Sequence, residues 1–162
     1  MQEPDDSLLQ EGSGEARQWC FGCGERNPEG LHIEFQVDGR SVTGRFTARQ
    51  SHQGYPGVAH GGIAASVLDE AMGWAMYAAG AWAMTARMQV KYRRPLPLAR
   101  EVAVTAEVVR ERGRWLEARA ELRTLDGSLL AEAEGLFVRV PRERARRLQA
   151  FFTGRAAEPA KG

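Results

Sequence analysis

Residues 61–79 constrain this chain more than any other segment. They contain no proline and are rich in Ala, Met, Leu and Ile. They make the only long helical segment before the C-terminal tail, and it is apolar nearly all round, which calls for burial. On either side the hydrophobic period changes to two. Leu31, Ile33, Phe35 and Val37 alternate with polar residues, Asp38-Gly39 signals a hairpin, and Val42, Gly44, Phe46 and Ala48 continue the alternation. A Gly- and Pro-containing loop spans 51–60. Strand patterns return at 84–94, 101–110, 114–124 and 128–140, with turn signals at Gly113 and Asp126-Gly127. Two strands, one helix and four strands make an α+β chain in which an antiparallel sheet of five to six strands wraps one long central helix. A single protomer leaves part of that helix and a sheet edge uncovered, so a dimer is expected.

The ends differ from the middle. Residues 1–18 are acidic and aperiodic and are expected to be a disordered tail. Residues 142–162 read as a basic amphipathic helix and tail, with Leu148, Phe151 and Phe152 on its apolar side. Residues 19–141 remain as one domain, in keeping with a length of 162 residues. The net charge of +1 points to no nucleic acid or membrane surface. No basic segment leads into an apolar run near the start, and no apolar run approaches the roughly 20 residues that span a bilayer. A cytoplasmic protein is expected. The only cysteines form one Cys20-x-x-Cys23 pair. A structural zinc site takes four ligands; with no second pair, and His32 the only nearby histidine, the expectation is a turn with buried thiols, no metal and no cofactor.

On a helix Gly62, Ser66, Asp69 and Gly73 fall at spacings of 4, 3 and 4 and form one stripe of small residues around a carboxylate. Gly61 and Gly62 let a ligand approach the first free amides, where the helix dipole favours developing negative charge. A carbonyl placed there would be polarised, and His60, just before the helix, adds a potential donor. Asp69 lies seven residues beyond Gly62, about 10 Å along the axis. An antiparallel copy of the helix would return a second Asp69 to that point, so the geometry suggests a site shared between protomers. Glu70, beside Ile63, Val67 and Trp74, is a candidate for a raised pKa.

His52-Gln53-Gly54-Tyr55-Pro56-Gly57-Val58-Ala59-His60-Gly61-Gly62-Ile63 with Leu68-Asp69-Glu70 resembles the hotdog-fold thioesterases of the phenylacetate-pathway (PaaI-like) type. Thr85-Ala86-Arg87 and Lys91-Tyr92-Arg93-Arg94-Pro95 resemble the strand that follows the helix in that family. Cys20-Phe21-Gly22-Cys23-Gly24 with Asn27-Pro28 and Gly30-Leu31 is similar to the N-terminal signature of one subgroup. The resemblance covers residues 19–141. It implies a hotdog fold, no cofactor, a homodimer or dimer of dimers, and hydrolysis of an acyl-CoA to a free acid and CoA. It implies Asp69 as nucleophile or general base, the Gly62 amide and His60 at the carbonyl, and Thr85 orienting the attacking water. Gly61, Ser66, Glu70, Arg87, Lys91, Arg93 and Arg94 are the accompanying substrate-binding candidates, with Arg114 a further basic residue for CoA phosphates. One departure is Gly54, where many members carry Asn six residues before the histidine; it shifts carbonyl contacts toward His60 and backbone. A hotdog hydratase would need an Asp/His pair in another motif, which is not found. A non-catalytic acyl-CoA-binding protein or sensor is the alternative reading. Trp74, Tyr77 and Trp82 leave the acyl group open.

Overall fold

The computed structural model describes residues 16–153, with side chains described for 17–150. After a 3-10 turn at Ala16–Trp19 come β1 (Glu34–Asp38), β2 (Ser41–Thr47), a 3-10 turn at Gln50–His52, and the short strands β3 (Gln53–Tyr55) and β4 (Val58–Ala59). Next are α1 (Gly61–Ala78), β5 (Ala83–Tyr92), β6 (Glu101–Arg112), β7 (Trp115–Thr124), β8 (Leu129–Arg139) and α2 (Arg142–Thr153). Six strands form one antiparallel sheet in the order β1-β2-β6-β7-β8-β5. The helix carries the chain from β2, near one edge, to β5 at the other, so β5 pairs only with β8 within the sheet. This is the hotdog arrangement, a sheet curved round a central helix.

The seat of α1 follows from its sequence. Ala64, Val67, Leu68, Ala71, Met72, Ala75 and Met76, spaced three and four apart, are buried against the sheet. The sheet answers with Val104, Ala106, Leu116, Ala118, Ala120, Leu122, Ala133 and Phe137, all buried. So many alanines let the helix sit close. At Gly135 even a Cβ would come within 2.6 Å of Phe137 and 3.0 Å of the Met72 sulfur. Each fully buried Leu or Met contributes about 1.5–3 kcal/mol of transfer free energy.

The expectation of a helix buried on nearly every side is corrected: Gly61, Gly62, Gly73 and Tyr77 are exposed, and a Cβ on Gly73 would meet nothing within 4 Å. The stripe of small residues lies on the side the sheet does not cover. The first strand begins at Glu34 rather than Leu31. His32 has φ 53°, which breaks the extended path, and the Leu31 and Ile33 amides donate to Phe21 O and Gly22 O instead of to the sheet. Both side chains are nonetheless buried, so the alternation was an accurate sign of burial without being a sign of pairing. The loop expected at 51–60 contains the β3–β4 hairpin. The tail expected over 1–18 lies outside the described residues except for 16–18, which belong to the first 3-10 turn. Phe151 and Phe152 lie outside the residues whose side chains are described.

Candidate active site at the start of the central helix

Two backbone contacts fix the position at which α1 begins. The Ala59 amide donates to Leu96 O at 2.9 Å, and the His60 amide donates to His52 O at 2.8 Å. His52 is itself buried, stacked on Phe46, with its Nδ1 accepting the Arg49 amide at 3.1 Å. Burial and the neighbouring Arg49 guanidinium hold its pKa below the usual histidine value of 6.5.

His60 is the N-cap of α1, with extended φ and ψ of −60° and 140°. Its Nδ1 accepts the Gly62 amide at 3.0 Å. That hydrogen bond determines the tautomer: Nδ1 carries no proton, so in the neutral ring Nε2 is the donor. It also means that the Gly62 amide, expected to be open to a carbonyl, is directed at the cap. Ser66 Oγ donates to Gly62 O at 2.8 Å, so this hydroxyl is turned to the helix backbone. Gly54 approaches the same point. A Cβ there would lie 3.0 Å from His60 Cα, so a side chain at this loop position crowds the cap.

Asp69 and Thr85 meet. Thr85 Oγ1 donates to Asp69 Oδ1 at 2.9 Å, bringing the carboxylate to the uncovered edge strand β5. A register shift between Thr85 and Arg87 makes this possible. In a regular strand residues two apart share a face. Here Thr85 pairs with buried Phe137 and turns to the helix, whereas Arg87 pairs with Leu136 and turns away. From Arg87 on, the pleat is regular. Met88, Val90 and Tyr92 face the helix, and Arg87, Gln89 and Lys91 face the opposite side.

The basic candidates therefore separate. Arg87 and Lys91 project from the sheet face remote from α1. Arg93 pairs with Glu132, with Nε 3.0 Å from Oε1, and this pair holds the Glu132 carboxyl below its ordinary range. Arg94 and Arg93 line a cavity of about 350 Å³ together with Gly61, Tyr92, Leu96 and Leu130. Arg114 lies over the Trp115 ring in the β6–β7 turn. Tyr92, not singled out in the sequence, packs at the helix start and donates its hydroxyl to Gly61 O at 3.1 Å. Its face was legible in the alternation it shares with Met88 and Val90, but its contact with the helix start was not.

Glu70 points elsewhere than Asp69, as adjacent helix residues must. It packs against the Cys20–Cys23 turn, where the Cys20 thiol lies 3.6 Å from Oε1. Burial first, then the Cys20 sulfur, pushes its pKa up to about 7. The Cys20 thiol is brought down to about 5, chiefly by the hydrogen bond donated by Cys23, while Cys23 is raised by the same contact and by burial. Glu70 thus stands outside the cluster of His60, Gly61, Gly62, Ser66 and Tyr92, and outside the Asp69–Thr85 pair. Farther along α1, Trp74 stacks on Phe35 with ring centroids 5.3 Å apart, and Tyr77 meets both Trp74 and Trp82 edge-on.

A helix start with two exposed glycines and a capping histidine, and a hydrogen-bonded carboxylate two turns on at a free sheet edge, are set in a hotdog fold. The family model of the thioesterase superfamily matches residues 56–131. Among curated proteins the chain is similar to the acyl-coenzyme A thioesterase THEM4 of Bos taurus, 30% identical over 122 residues, covering 72% of this chain and 50% of that protein. It spans about half the length of the curated relatives it matches. Among solved structures it is similar to a thioesterase superfamily protein at 34% identity and TM-score 0.69, covering 71% of this chain and 60% of that one. The E. coli PaaI protein from the phenylacetic acid degradation operon shares the fold, with TM-score 0.65 and 20% identity over 68% of this chain and 81% of that one.

Proposed function

We propose that this chain hydrolyses acyl-CoA thioesters to a free acid and CoA, at a site built from two protomers. The observation that carries the reading is the Asp69–Thr85 hydrogen bond at the β5 edge. It orients a carboxylate that lies about 10 Å along the helix from its own Gly62 amide. The ten-residue edge strand and the open face of α1 beside it are the surfaces that a second copy would cover. An antiparallel second helix then sets its His60–Gly62 start opposite Asp69.

In this arrangement the thioester carbonyl lies at the helix start of one protomer. The His60 Nε2–H donates to the carbonyl oxygen, and the Gly62 amide is shared with it or released by the cap. Asp69 of the other protomer removes a proton from water, whose oxygen attacks the carbonyl carbon; Thr85 holds the carboxylate in line. Collapse of the tetrahedral intermediate breaks the C–S bond, and the CoA sulfur leaves and takes up a proton. Asp69 as direct nucleophile, forming an anhydride that water then opens, uses the same geometry. Tyr92, Arg93 and Arg94 border the cavity at the helix start and are the residues assigned to the CoA side. No helix among the described residues is long and apolar enough to cross a membrane. The free thiols Cys20 and Cys23 fit a reducing compartment such as the cytoplasm.

Thiol release from a panel of short-chain, medium-chain and aromatic acyl-CoAs tests the reading. The wild-type chain is expected to turn over at least one of them, and Asp69→Asn to lose roughly 10²–10⁴-fold in kcat, the range for a lost general base. Binding without release would favour an acyl-CoA-binding protein. Turnover untouched by the Asp69 change would remove it from the chemistry.

A further inference from the structure

A second cluster of reactive side chains lies where the N-terminal turn meets α1. Cys20, Cys23 and Glu70 each direct one ligand-type atom inward, and these atoms all lie within 4.8 Å of one another. Two come from a single Cys-x-x-Cys-Gly turn and the third from the helix, 50 residues beyond Cys20. The turn is shaped for this. The Gly22 and Cys23 amides are directed at the Cys20 sulfur, the arrangement that favours a thiolate. The Gly24 amide donates to Cys20 O at 2.9 Å and closes the turn. Glu70 enters so deeply that a Cβ on Gly22 would lie 2.2 Å from its Cδ. Any side chain at this position would have to displace the carboxylate.

We propose that Cys20, Cys23 and Glu70 form a binding site for a thiophilic divalent cation, with zinc as its natural occupant, which fastens the N-terminal arm to the central helix. The distances fit. In a tetrahedral site with Zn–S of about 2.3 Å and Zn–O of about 2.1 Å, a sulfur and an oxygen stand about 3.6 Å apart. Cys20 Sγ and Glu70 Oε1 are 3.6 Å apart. Two sulfurs and one oxygen select zinc over magnesium or calcium, which prefer all-oxygen shells. Three protein ligands leave a fourth position, which water completes. The sequence alone favoured a turn with buried thiols over zinc for want of a second Cys pair; it did not bring in a ligand from α1, because nothing in the spacing of residue 70 announces the turn packed on it. His32, the nearby histidine considered for this role, turns its Nε2 to Asn27 O at 2.6 Å. The site is independent of the proposed hydrolysis: Asp69 faces β5 and Glu70 faces the turn.

Cobalt serves as the probe. The full chain, reduced with a phosphine and freed of metal, is titrated with Co²⁺ after two reactive thiols per chain have been counted. The expected result is one equivalent bound per chain with a thiolate-to-cobalt charge-transfer band, displaced by Zn²⁺, and both thiols lost to the thiol reagent once zinc is bound. Cys23→Ser is expected to abolish the band. Glu70→Gln is expected to keep thiolate absorption while weakening binding at least tenfold, and Asp69→Asn to bind as the wild type does. Absence of the band in the wild-type chain at equimolar metal would overturn the proposal whatever the variants do, and so would a Glu70→Gln chain that binds cobalt as tightly as wild type.

Discussion

His60 commits one ring nitrogen to the Gly62 amide and keeps the other as a donor, so a single residue caps the helix and sets its own tautomer. The sequence showed that a histidine precedes two glycines but not that its ring folds back on the second of them, because capping depends on χ angles that no spacing encodes. Asp69 was legible from the stripe it shares with Gly62, Ser66 and Gly73, and its Thr85 partner from the resemblance alone, since a threonine in a strand is ordinarily just a good strand residue. Glu70 was legible as a group whose pKa would rise, but not in its company of two sulfurs. His52 gives the residue-scale prediction. Its folded-state pKa is depressed below 6.5 by burial and by Arg49. The folded state therefore binds that proton less readily than the unfolded one. The stability His52 supplies is present above pH 6.5 and is lost as pH falls from there through the depressed folded value. Urea midpoints taken from pH 8 downward should fall for the wild type more steeply than for His52→Gln. Parallel curves would show that His52 titrates alike in both states.

At the scale of elements, the order of strands and helix was readable because each segment has one dominant period. Strand ends at 92, 112, 124 and 139 fall within two residues of those expected. What the period could not show was the irregularity in β5. Thr85 and Arg87 have the same parity in sequence, yet the bulge between them puts Thr85 on the helix side and Arg87 on the other. A rule of alternation places both at one site and so gathers basic residues that the sheet keeps apart. The seat of α1 on the sheet makes a prediction of its own. Gly135→Ala drives a methyl into Phe137 and Met72, one turn from Asp69. The expected cost is about 1–3 kcal/mol of overpacking, read from chemical denaturation. A change within experimental error would mean that the helix can lift from the sheet without penalty.

The whole molecule, taken as one chain, presents two unfinished surfaces side by side: the edge of β5 and the face of α1 that carries Gly62, Ser66, Asp69 and Gly73. Within the chain the carboxylate and the helix start lie on this face but too far apart to act on one carbonyl. The sequence suggested an uncovered helix face as excess apolar surface, whereas the face left open is the stripe of small residues around Asp69. The structure locates it at the edge where Asp69 is held by Thr85. Both surfaces are accounted for if two copies meet there and exchange halves of the site. Subunit exchange between a His60→Ala chain and an Asp69→Asn chain is the most direct test. Each variant alone should release little thiol from an acyl-CoA substrate. A one-to-one mixture, with exchange verified by tagged chains, should recover up to about half the wild-type rate per hybrid dimer, because one of its two sites combines an intact His60 with an intact Asp69. No recovery in verified hybrids would contradict a shared site.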